Sequence, residues 1–137
     1  MVVNFEIENN YAVTFENKHI DLHNNFDLLK TEKLDQSYKL IFQKNEGNWV
    51  NDDEFDKLTF IFEGITNFYH QKGNNTEFPE DENTLSIVTF FPSSVREINT
   101  SFTLQRTPLL DDDIIFAFEN GKVYRFTCKE VKLICEQ

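Results

Sequence analysis

The chain has few of the residues that bend a backbone or carry reactive chemistry. Its 137 residues include four glycines, three prolines, two cysteines, one methionine and one tryptophan. The glycines form no phosphate-cradling loop. Cys128 and Cys135 lack the second ligand pair of a zinc site, and neither has a basic or histidine partner that would make it a nucleophile. A bond between them would close a very short loop and stabilise little, so two reduced thiols packed as small hydrophobes are expected. Ser93-Ser94 lies outside any Gly-x-Ser-x-Gly elbow. No run approaches the ~20 apolar residues that a bilayer-spanning helix needs. The N-terminal residues MVVNFEIENN carry neither the basic region nor the apolar stretch of an export signal. A soluble, cytoplasmic protein is therefore expected, and the Asn-x-Ser/Thr triplets at Asn74 and Asn99 read as loop chemistry. Positive charge is also scarce: 13 Lys and Arg stand against 24 Asp and Glu, a net charge of −11. That balance argues against nucleic-acid backbones and anionic membranes. It leaves room for a basic protein partner, whose approach an acidic surface speeds, or for plain solubility.

What the chain has in quantity is phenylalanine, fifteen residues of it. Aromatic and β-branched residues favour half-buried strands. Apolar residues recur with a period of two in short runs separated by Asn, Asp, Gly and Pro. Val3, Phe5 and Ile7 form one run and Tyr11, Val13 and Phe15 the next, with a turn at Asn9-Asn10. Residues 26–34 read either as a short helical turn capped by Asn24 or Asn25, or as strand and loop. Further runs cover 37–43, 58–62 with a bend at Gly64, 65–70, 85–91 stopped by Pro92, 98–104, and the C-terminal strands. The expectation is one domain over residues 1–137. It is all-β, or β-rich with one short helix, and forms an antiparallel sandwich or barrel of about eight to ten strands.

Asn120-Gly121 between two apolar runs predicts a two-residue hairpin turn. That register sets Phe116 against Arg125 and Phe118 against Val123, and leaves Asp111, Asp112 and Asp113 solvating the open end. Both faces of the hairpin are then largely apolar, so the one carrying Phe116, Phe118 and Arg125 is a candidate binding face. Trp49 is a second binding candidate. It reads either as an exposed anchor or, by preference, as a loop residue folded back over the core.

For chemistry, the sharpest pattern is His19-Ile20-Asp21 with distant His70. Two histidines and a carboxylate can hold iron on an open face, and strand alternation puts His19 and Asp21 on one side. Surface histidines are the simpler reading. The acidic clusters at 52–56, 77–82 and 111–113 lack the ligand spacing of a calcium loop. No cofactor and no catalytic residue are expected.

From Leu58 onward, Leu58-Thr59-Phe60-Ile61-Phe62-Glu63-Gly64-Ile65, Phe116-Ala117-Phe118-Glu119-Asn120-Gly121 and Phe126-Thr127-Cys128 together resemble a loose group of small bacterial β-rich domains. The group includes immunity proteins of polymorphic toxin systems. Asp21-Leu22-His23-Asn24 is similar to a short His-containing segment early in that group, without its His-Asp order. The resemblance spans about the last 80 residues, transfers no site residue, and implies partner binding. Three readings follow: a non-enzymatic protein-binding domain, an immunity-type inhibitor being one form of it; a small metal enzyme using His19, Asp21 and His70; and a barrel enclosing an apolar ligand. Homo-oligomerisation is compatible with the first.

Overall fold

The computed structural model of the chain describes residues 1–47, 49–50, 55–74, 78, 82–95, 97 and 104–137. Among them are twelve strands and a single turn of helix. The elements in chain order are β1 (Val2–Val3), β2 (Glu6–Glu8), β3 (Ala12–Phe15), β4 (Lys18–Asp21), α1 (Leu22–Asn25), β5 (Phe26–Leu34), β6 (Ser37–Lys44), β7 (Lys57–Glu63), β8 (Asn67–Gln71), β9 (Leu85–Pro92), β10 (Asp112–Phe118), β11 (Val123–Thr127) and β12 (Glu130–Glu136). The fold is all-β, as the sequence pattern predicts. The expected strand over 98–104 falls almost wholly outside the described residues, as do most of the acidic clusters at 52–56 and 77–82.

Strands β1-β12-β7-β6-β5 form a five-stranded sheet, β8-β11-β10-β9 a four-stranded sheet, and β2-β3-β4 a small third one. Every pairing is antiparallel except β1 with β12. The first apolar run splits into two strands because Asn4 leaves the strand to bind β12. Its Nδ2 donates to the Leu133 carbonyl at 3.0 Å, and its Oδ1 accepts from the Leu133 N–H at 2.7 Å. Residues 26–34 resolve as strand, paired along their length with β6. The helical turn lies just before them, where Asp21 caps it by accepting from the Asn24 N–H at 2.9 Å. Positive φ at Asn9 and Asn10, and again at Glu16 and Asn17, turns the chain tightly between the short strands.

The five- and four-stranded sheets face each other across a layer of rings. Phe62 of β7 stacks on Phe126 of β11 with centroids 3.8 Å apart and planes 10° from parallel. Phe116 of β10 lies edge-on to Phe60 and Phe62, at 5.1 and 5.8 Å. Phe42 of β6 meets both Phe116 and Phe118. Phe5 sits between Phe60 of one sheet and Phe90 of the other, while Ile7, Val13 and Ile20 bring the small sheet into the same core. Edge-to-face rings at the spacings of Phe116 from Phe60 and Phe62 add to the burial of their area. The arrangement is a sandwich, and side chains fill the space between its main sheets.

Candidate interaction surface

The β10–β11 hairpin differs from its expected form by one residue. Ala117 pairs with Val123, Phe116 with Tyr124 and Ile115 with Arg125. The connection is a three-residue loop: the Gly121 N–H donates to the Phe118 carbonyl at 2.9 Å, the Phe118 N–H to the Lys122 carbonyl at 2.8 Å, and Gly121 adopts φ +89°. A turn followed by a left-handed glycine is the bulged alternative to the two-residue connection. Shifting a register by one residue exchanges the partners on each face. Here the shift aligns Ile114, Phe116 and Phe118 with Tyr124 and Phe126 toward the core, and sends Arg125 to the other face. Without the bulge a guanidinium would sit among the rings.

The candidate binding residues on this hairpin are therefore interior. Phe116 and Phe118 belong to the main core. Arg125 is buried on the outer face of the four-stranded sheet, where its Nε donates to Asp113 Oδ2 at 2.6 Å. Its Nη2 donates to the carbonyls of Pro92 and Val95, at 3.1 and 2.9 Å. The guanidinium also lies over the Phe91 ring at 5.6 Å, rather than against Phe116. The aspartates do not solvate the strand end. Asp113 is fully buried and accepts a second hydrogen bond from the Thr127 hydroxyl at 2.6 Å. Asp112 is buried too, and its Oδ2 accepts from the Leu109 N–H at 2.7 Å and from Gln105 Nε2. Only Asp111, at φ +66°, remains at the surface as a turn residue. Buried charges persist when paired and hydrogen-bonded, which is the arrangement of Asp113 with Arg125, while Asp112 is held by hydrogen bonds alone.

His19, Asp21 and His70 do not converge. His19 lies on β4 in the small sheet, with Nδ1 against a carboxylate oxygen of Glu8. Asp21 is occupied in capping α1. His70 lies on β8 in the four-stranded sheet, stacked on Tyr124 at 4.6 Å. No group of three metal-capable side chains occurs among the described residues. Glu8 is the hub of a surface network, accepting from Thr14 and Arg106 as well as meeting His19. The Thr14 hydroxyl, followed by His19, holds its carboxyl below the ordinary value. Burial pushes the thiols of Cys128 and Cys135 up to about 12, which keeps both protonated and unreactive.

Trp49 lies at the surface rather than over the core, where folding back would have put it. It is 64% exposed. The indole N–H donates to the Asn24 carbonyl at 2.9 Å, and the ring lies so close over Gly47 that a Cβ there would fall 2.2 Å from ring carbons.

The surface with the clearest capacity for recognition is one the sequence places as a strand without revealing its position. All five residues of β8, Asn67-Phe68-Tyr69-His70-Gln71, are exposed. The strand hydrogen-bonds to β11 on one side and forms the edge of its sheet on the other. Phe68 and His70 continue the inner aromatic row, with Phe68 5.0 Å from Tyr38 and 5.1 Å from Phe126. Tyr69 points to the opposite face and is 50% exposed. Edge strands are ordinarily guarded by charge, proline, a bulge, short length or a covering segment. The other edges show such guards. β5 carries Lys30, Glu32 and Lys33 and a bulge near Leu29. β9 ends in Pro92, and its Val88 N–H donates to the Asn10 carbonyl. β1 has two residues, β4 has Lys18 and Asp21, and β2 is met by the Arg106 carbonyl. β8 has neither Lys, Arg, Asp, Glu nor Pro. Among the described residues no strand pairs with its outer edge, whose N–H and C=O groups alternate beside three exposed rings, Phe68, Tyr69 and His70. Compared with protein-family models, curated proteins and solved structures, the chain shows no match to any of them.

Proposed function

We propose that the chain is a non-catalytic protein-binding domain that docks an extended segment of its partner along β8. The unguarded edge of that strand carries the reading. Backbone pairing to a sheet edge supplies affinity, and the rings beside it supply selectivity. The net charge of −11 favours a basic partner through faster encounter, and the neutral strand lets the final contact form without desolvating a carboxylate. An immunity-type inhibitor masking a basic toxin surface is one protein of this kind, in keeping with the resemblance of residues 58–128. The separation of His19, Asp21 and His70 and the ring-filled interior favour this reading over its two alternatives.

A basic protein encoded beside this chain in its genome is the first partner to test. Calorimetric titration, with amide shifts followed by NMR, is expected to show saturable binding with the largest shifts at residues 67–71. Binding unchanged by Tyr69→Lys, or shifts confined to other strands, would remove β8 from the reading.

A further inference from the structure

The strand Asn67-Phe68-Tyr69-His70-Gln71 reads the same in both directions by side-chain class: amide, ring, ring, ring, amide. Antiparallel pairing reverses one strand against the other, so such a sequence is complementary to itself. We infer that β8 also pairs with β8 of a second copy of this chain, about a two-fold axis at Tyr69, joining two four-stranded sheets edge to edge. This inference rests on the reading of β8 as the docking edge and names the occupant that edge takes when no other partner is present.

In that register Asn67 of one copy faces Gln71 of the other, and two amides can exchange hydrogen bonds. Phe68 faces His70, extending across the axis a pairing the two rings already make within one strand, where their planes lie 7° apart at 6.5 Å. Tyr69 faces its own symmetry mate. Each contact occurs twice except the last, as an isologous interface requires. Charge permits the same place, and the short length of β1 and the Pro92 and Asn10 guards of β9, the other edge strands without carboxylates, leave β8 as the open one. Two chains of −11 repel each other over most of their surfaces, and β8 is a complete strand with no carboxylate on it. A five-residue contact is small beside a standard interface, so the dimer is weak and reversible. A basic partner would compete with it for the same backbone groups.

Sedimentation equilibrium of the full chain at rising concentration is expected to show a monomer–dimer equilibrium that shifts toward dimer as salt screens the net charge. Two double variants test the register. Asn67→Lys with Gln71→Lys sets like charges opposite each other twice, and should weaken association about tenfold. Asn67→Lys with Gln71→Glu sets opposite charges face to face, and should keep association at least at the parent level. Circular dichroism melts identify variants that fail to fold, and Tyr69→Lys, which sets like charges at the axis, then serves in their place. A parent chain monomeric at every salt concentration overturns the inference, and so does equal association of the two double variants. If the chain is monomeric but a basic partner still shifts residues 67–71, only self-pairing fails. If neither binds at β8, the proposed function fails with it.

Discussion

Replacing Asp113 with alanine would leave the Arg125 guanidinium in the same buried place with no carboxylate beside it. Asp113 is 0% exposed and Arg125 4%. The carboxylate accepts from Arg125 Nε and from the Thr127 hydroxyl, both at 2.6 Å, so its loss also leaves a hydroxyl without an acceptor. Removing one member of a buried pair typically costs ~3–5 kcal/mol, because the remaining charge is not resolvated. A domain's whole stability is ~5–15 kcal/mol. With a urea dependence of about 2 kcal/mol per molar, the loss moves the unfolding midpoint down by ~2 M. Arg125→Met should cost a similar amount by stranding the carboxylate. The double variant Asp113→Ala with Arg125→Met should lose far less than the sum. It removes both charges together, and its remaining deficits are that the Pro92 and Val95 carbonyls lose their donor and the Thr127 hydroxyl its acceptor. Urea unfolding of the three variants, followed by circular dichroism and tryptophan fluorescence, measures the cycle. A loss under ~1 kcal/mol for Asp113→Ala, or strictly additive singles, would refute the reasoning that this pair closes the outer face of the sheet.

Two further outcomes follow from features of the same sheets. Gly121→Ala should cost about 1–2 kcal/mol in a thermal or urea melt, from backbone conformation alone: φ is +89° and the nearest atom to an added Cβ is 3.6 Å away. The Glu8 carboxyl is held below its ordinary 4.5, chiefly by the Thr14 hydroxyl. Its folded-state value is the lower one, so the stabilisation is complete above the unfolded value and is lost as pH falls through the folded one. Thr14→Val should therefore flatten the acid limb of a stability-against-pH curve below about 4.5 and leave the neutral region with a constant offset.

Strand positions were legible in the sequence because alternation of Phe, Ile and Val is a local signal. Leu58, Phe60 and Phe62, and likewise Leu40 and Phe42, point inward as their spacing predicts. Partners across strands were less legible. Asn120-Gly121 suits the two-residue turn when judged locally, but the longer loop wins because it keeps Arg125 out of an aromatic interior contributed by strands far away in sequence. The same cause hid the buried state of Asp112 and Asp113. A carboxylate at a strand start looks solvated until the groups satisfying it, on β11 and near residues 105–109, are brought beside it. For β8, alternation and aromatic content predict a strand, but only the strand order of the sheet puts it at an edge. Its lack of charged residues and proline was the signal available in the sequence.

The placement of β12 between β1 and β7 has a consequence for how the molecule comes together. The central ladder of the larger sheet needs residues 130–136 against residues 57–63, and Asn4 binds both backbone groups of Leu133 across 129 positions of sequence. Until β12 arrives, Phe60 and Phe62 lack a strand along one side. Closing so long a separation late makes for slow, all-or-none assembly. Truncation before residue 130 would remove an inner strand of the sheet, strip β7 of one partner and leave β1 with none in the sheet.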